Sequence, residues 1–177
     1  MSERNNAHLA SGILAGIAGG LVASWVMNEF IENVGPKLQE AVQEAEGDAP
    51  DEQSGGAEGE DATMKAADAI AATVTGGRHL TYEQKKMGGP IVHYAFGAVM
   101  GGVYGALAEA IPETTAGLGT TFGSALFVGA DLFAVPALNL SQSSEDASIS
   151  SLASPFAAHL VYGLTTEAVR RLVRSVL

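Results

Sequence analysis

At 177 residues the chain has room for one domain, and no separate catalytic module is expected. Twenty acidic residues against nine basic ones give a net charge of −11, which excludes the basic stripe that nucleic acid requires; the absence of cysteine excludes disulfides, thiolate metal sites and cysteine nucleophiles. The 47% hydrophobic content is ordinary but segregated: ten acidic residues and only two basic ones lie between Lys37 and Asp68, and the rest reads as long apolar runs with few charges.

In chain order, the first run goes from Leu9 to Met27, interrupted only by Ser11 and Ser24, and predicts a membrane span over about 9–28. At 1.5 Å per residue it covers the roughly 30 Å hydrocarbon core. A secretory leader is the weaker reading: Arg4 sits beside Glu3, and the run exceeds the typical length of an apolar leader segment. The acidic segment 37–68 follows. Its middle, Glu44 to Asp61, has no aromatic residue and predicts disorder. From Ala62 to Val74 the apolar residues Met64, Ala67, Ile70, Ala71 and Val74 recur at helical spacing, which predicts a short helix over 62–74. It reads equally as an interfacial helix or a solvated alanine-rich one.

The second span is predicted over 90–111, opened by Gly88-Gly89-Pro90 and closed by Pro112; the third runs over 115–135 and stops at Pro136. The fourth runs over 155–175 from Pro155 and ends in Arg170, Arg171 and Arg174, which suit both headgroups and the negative end of a helix dipole. The expected fold is therefore an all-α, polytopic bundle of four transmembrane helices. Counting basic residues at the span ends sets Arg4, Arg170, Arg171 and Arg174 against Lys37, Arg78, Lys85 and Lys86, a tie for orientation. The clustered C-terminal arginines incline the reading towards termini inside.

Gly12, Gly16, Gly20 and Ser24 recur every fourth residue in the first span, as do Gly97, Gly101 and Gly105 in the second; Gly119 and Gly123 follow in the third, and Gly163 lies in the fourth. Residues at i and i+4 share a helix face, so these lines predict close backbone approach, which is what joins helices in lipid. Tight packing within the chain is favoured over a pore lining, and a homo-oligomer is a further expectation.

Polar residues extend the lines. His93 leads to Glu109 on the second span, and His159 to Glu167 and Arg171 on the fourth. Measured from Pro90, Pro136 and Pro155, His93, Asp131 and His159 fall near one depth, with Asn28 and Glu29 close to that level on the first span. Two histidines and a carboxylate suit proton relay, a divalent cation, or a hydrogen-bond cluster that fixes register. No tight ligand motif is present, so no metal or cofactor is expected. Glu109 reads as an interface marker, and Glu167 as an ion-pair partner of Arg170 or Arg171.

The stretch His93-Tyr94-Ala95-Phe96-Gly97, through Tyr104-Gly105 to Ala108-Glu109-Ala110-Ile111-Pro112, resembles the second half of the YagU-like family of small bacterial inner-membrane proteins. So does Ala158-His159-Leu160-Val161-Tyr162-Gly163 with Glu167 and Arg170-Arg171, and more loosely Val135-Pro136-Ala137-Leu138. The resemblance covers about half the chain. It implies a multi-pass helical protein of the bacterial inner membrane and carries no enzyme activity or ligand; the acidic stretch Glu40 to Asp68 is not part of it. Two functions are open. One is a non-enzymatic accessory or structural subunit that packs with itself or a larger complex through glycine faces. The other is a small proton- or ion-handling channel or transporter that uses His93, Asp131 and His159. A lipid-directed enzyme ranks last, since no G-x-S-x-G elbow occurs. Expected partners are membrane lipid and other protein chains, not nucleic acid.

Overall fold

Three helical stretches are long and apolar enough to cross a membrane: His8–Asn33, Tyr82–Ala110 and Pro112–Ala137. They belong to a computed structural model that describes residues 2–47, 59–140 and 149–177, among which helix is the only regular secondary structure. Large apolar side chains cover the outer faces, with Leu14 60%, Val99 62%, Phe133 68% and Ile91 69% exposed. Such a surface is a liability in water and matches a lipid solvent. The chain is a membrane protein.

Helix α1 (Ser2–Asn33) bends at Val34 into α2 (Gly35–Glu46), with Pro36 in the first turn of α2. The sequence predicted an acidic loop over 37–68, disordered in its middle from Glu44. Instead α2 turns Leu38, Val42 and the buried Gln43 inward, leaves Glu40 and Glu44 outside, and packs on the C-terminal helix. Averaging charge over the whole segment hid this helical repeat. The rest of the predicted disorder falls mainly on 48–58, outside the described residues.

Helix α3 (Ala62–Thr75) is capped by Asp61, whose side chain accepts from the Met64 amide at 2.8 Å, and packs on α4 (Tyr82–Ala110). Asp68 ties the two together: its carboxylate accepts from the Leu80 amide at 2.6 Å and lies 2.9 Å from His79 Nδ1 and 3.5 Å from Lys85 Nζ. The Leu80 amide first, and the His79 side chain second, hold the Asp68 carboxyl below its ordinary range against the opposing effect of burial.

Helix α4 begins eight residues before the predicted Pro90 start. A capping box at Thr81 and Gln84 nucleates it upstream, and Gly88 and Gly89, expected as a break, give α3 its seat: a Cβ on Gly88 would stand 2.9 Å from Ala67 Cβ, and one on Gly89 would stand 3.0 Å from Thr63 Oγ1. The proline is carried inside the helix. The third stretch also departs from its predicted start at 115. Pro112–Gly119 is a 3-10 segment in which Gly117, Leu118 and Gly119 have positive φ, and regular helix starts only at α5 (Thr120–Phe127). A π-helical stretch, Val128–Ala134, and the short α6 (Val135–Ala137) follow. Pro136 supplies no amide and crowds the preceding turn, which suits the wider π geometry just before it.

The last helix, α7 (Ile149–Arg174), also starts ahead of its proline, Pro155. It lies against α1, α2 and α5. It is not among the three stretches apolar enough to cross a membrane on composition: its serines and threonines, Pro155 and His159 dilute the apolar run, and Glu167, Arg170, Arg171 and Arg174 crowd the last two turns.

Gly16 and Gly20 of α1 face Gly97, Gly101 and Gly105 of α4 so closely that an added Cβ on any of them would overlap the opposite helix. Gly12 meets Gly105 and Glu109 in the same way, and Gly119 and Gly123 meet Gly163 and the His159 carbonyl of α7. All the predicted packing glycines are therefore occupied by contacts inside the chain.

Candidate functional site

Helices α1, α3, α4, α5 and α7 and the segment from the π-helical stretch to Leu140 line a half-open cavity of about 870 Å³. Helix α1 supplies Ser24, Met27 and Ile31 at helical spacing; α4 supplies His93 and Met100; α7 supplies His159 and Tyr162; Asp131 comes from the π-helical stretch; and α3 lies along one side with Ala62, Ala66 and Ile70. The walls are mostly apolar, and the titratable groups gather on one part of them.

Three of the five predicted polar residues meet here. His159 Nδ1 lies 3.6 Å from Asp131 Oδ2, while its hydrogen bond goes to the Pro155 carbonyl at 2.9 Å. A carbonyl only accepts, so Nδ1 carries the hydrogen and Nε2 is left to face other partners. The His159 ring is nearly buried and packs on Phe127, 5.6 Å between centroids. His93 Nε2 points at the Ser24 carbonyl of α1 at 3.4 Å. The wider turn of the π-helical stretch sets the direction of Asp131, and such turns recur at functional positions.

Asn28 and Glu29 do not join the cluster. With Ser24, Met27 and Ile31 facing the cavity, Asn28 falls at the edge of that face and Glu29 on the far side, where it is exposed and accepts from Asn33 Nδ2 at its carbonyl, 2.8 Å, and more distantly at its carboxylate, 3.4 Å. Depth alone grouped these residues, and helix rotation separates them. Among the described residues no three His, Cys, Asp or Glu side chains converge to hold a metal ion.

A second polar cluster closes the opposite end of the bundle. The Glu167 carboxylate, 1% exposed, is gripped by Arg170, with Nε at 2.7 Å and Nη2 at 3.1 Å, and by Arg171 Nε at 2.5 Å. Glu109, read from sequence as an interface marker, accepts instead from Arg174 Nε at 2.8 Å and lies 3.8 Å from Arg170 Nη1. Arg174 Nη2 also lies 2.9 Å from His8 Nδ1. Helices α1, α4 and α7 are thus joined by one ionic network.

Between the clusters runs a set of buried hydroxyls that sequence reading passed over. Tyr162 Oη donates to the Gly97 carbonyl at 2.6 Å. Ser24 Oγ, Thr166 Oγ1 and Tyr104 Oη are fully buried and make no hydrogen bond of ordinary geometry among the described residues, although Tyr104 Oη approaches the Glu167 carboxylate and Thr166 approaches the Tyr162 hydroxyl. Tyr104 packs on Phe122, 4.8 Å between centroids, and lies under the Arg170 guanidinium at 6.0 Å. Ser24 ends the four-residue glycine line of the first span, whereas Tyr104, Tyr162 and Thr166 stand singly in apolar runs without a periodic signal, so only the fold exposes the alignment of the four.

The family model described as "Protein of unknown function (DUF1440)" matches residues 66–168, well over half of the chain and beginning where the acidic segment ends. No curated protein and no solved structure matches. The match takes in α4, the third stretch and most of α7, and with them every cavity residue singled out above except Ala62 and those of α1. The chain belongs to the DUF1440 family.

Proposed function

We propose that the chain is a non-enzymatic, YagU-like protein of the bacterial inner membrane, with α7 as a fourth span, and that it handles protons or small ions at the cavity of His93, Asp131 and His159. One observation carries the reading: three separate helical elements deliver these titratable side chains to a single half-open cavity, two of them within 3.6 Å. Ionisable groups are costly inside a bilayer and mark ion or proton pathways by default. For the fourth span, the support is length and packing: the 26 residues of α7 cover about 39 Å at 1.5 Å per residue, and the helix lies along α1 with its arginines at one end.

The accessory-subunit reading has less support, because the glycine faces on which it rested are spent within the chain. A homo-oligomer or a larger assembly would form over the lipid-facing side chains instead. The apolar walls favour one further reading, a membrane lipid whose chain fills the cavity and whose polar end meets the histidines.

Proteoliposomes decide between them. Wild-type protein is expected to dissipate an imposed proton or cation gradient faster than protein-free vesicles, and His93→Ala and His159→Ala to abolish the difference. Equal leak with and without protein removes the reading; a lipid that stays bound through delipidating washes and is lost in the same variants supports the lipid alternative.

A further inference from the structure

Hydroxyl groups are rarely buried in apolar surroundings without a partner, because each loses its bonds to water and gains none in return. Here three of them, Ser24, Thr166 and Tyr104, are completely buried without a hydrogen bond of ordinary geometry among the described residues; Thr166 approaches the Tyr162 hydroxyl, Tyr104 approaches the Glu167 carboxylate, and all lie between the two ionic clusters.

Their order follows from the helices. His159 and Glu167 sit eight residues apart on α7, about 12 Å along its axis. Tyr162 and Thr166 fall between them on the same helix, both buried. Ser24 lies against Gly97, the residue whose carbonyl accepts from Tyr162, and the Ser24 carbonyl in turn faces His93. Thr166 lies against Gly19, about a turn further along α1. Tyr104 meets Arg170, which holds Glu167. The sequence of groups is therefore His93 and His159 at the cavity, Ser24 and Tyr162, Thr166, Tyr104, and then Glu167.

We propose that these four hydroxyls form a proton-transfer line, completed by water held between them, that connects the cavity histidines to Glu167 through the interior of the bundle. The line rests on the proton-handling reading of the cavity and adds its exit. In each step one O–H or N–H bond breaks as the next forms, so a proton taken up by a cavity imidazole is matched by one released towards the Glu167 carboxylate. Beyond it, Glu109 and His8 can take the proton on to the surface at the far end, while Arg170, Arg171 and Arg174 keep their protons and hold these groups in place. The three buried hydroxyls are accounted for, since each has a donor and an acceptor to offer to water.

The test is proton flux into vesicles that carry a pH-sensitive dye, measured under a potassium diffusion potential with full-length protein. Thr166→Val and Tyr104→Phe keep shape and remove one hydroxyl each. Both are expected to lower the flux by about tenfold or more, whereas Thr166→Ser, which retains the hydroxyl, is expected to stay near wild type. Melting of each variant in detergent is followed in parallel, and it is expected to be unchanged or raised, since the lost hydroxyl made no hydrogen bond of ordinary geometry among the described residues. If Thr166→Val and Tyr104→Phe conduct like wild type while His93→Ala does not, the line is overturned and the cavity reading stands. If the wild-type protein passes no protons, both fall.

Discussion

Arg174, at the end of α7, donates from Nε to the carboxylate of Glu109, at the end of α4, across 2.8 Å. The pair is largely shielded, with side-chain exposures of 24% and 19%, and it joins helices remote in sequence. Removing one partner leaves the other charge poorly solvated. Glu109→Ala is expected to destabilise the folded protein, read as a lower midpoint of unfolding in detergent. A midpoint equal to wild type would mean that the pair contributes nothing to stability.

The α1–α4 contact makes a sharper prediction. A side chain on Gly101 collides with backbone of α1, which cannot yield as a flexible side chain would. Gly101→Leu is expected to cost about 3 kcal/mol or more and to separate the two helices, detectable as a lost disulfide cross-link between cysteines placed on their facing sides. Gly129 supplies the control: nothing stands within 4 Å of its would-be Cβ, and Gly129→Ala is expected to change stability by less than about 1 kcal/mol.

Acid should loosen the α3–α4 hairpin in a defined window. The Asp68 carboxyl is held below its ordinary value, so it contributes stability that is fully present above about pH 4, the unfolded value, and is lost as pH falls through the lowered folded value. Hydrogen exchange at the Leu80 amide is expected to be slow and nearly flat from pH 8 to 5, once intrinsic rates are divided out, and to accelerate below pH 4. In Asp68→Asn that step is expected to vanish.

The upstream start of α4 depends on its cap. Thr81→Ala removes the acceptor for the Gln84 amide and half of the reciprocal pair that Gln84 completes on the Thr81 amide at 2.9 Å. The expected cost is about 1 kcal/mol, with fraying confined to the turn before Pro90. Exchange that speeds up equally along the whole helix would contradict this.

How much could be read from sequence follows from what each signal encodes. The glycine lines were legible because i, i+4 spacing fixes a face whatever the partner. The meeting of His93, Asp131 and His159 was legible because Pro90, Pro136 and Pro155 act as depth marks. Rotation was not encoded, so Asn28 and Glu29 were grouped by level although α1 turns Glu29 away. Helix order was not encoded either; Glu109 looked like an isolated interface residue until α7 brought Arg174 beside it. The helix in the acidic segment was hidden because charge dominated the window in which Leu38 and Val42 carry the repeat.

The seam between α1 and α4 is closed by backbone contacts that owe nothing to the chain joining them. Loop-closure entropy rises only by about 0.6 kcal/mol for each doubling of a flexible connection. Inserting or deleting residues between α2 and α3 therefore leaves the helix pairing almost untouched, and relatives are free to differ there in length and charge while preserving the same bundle.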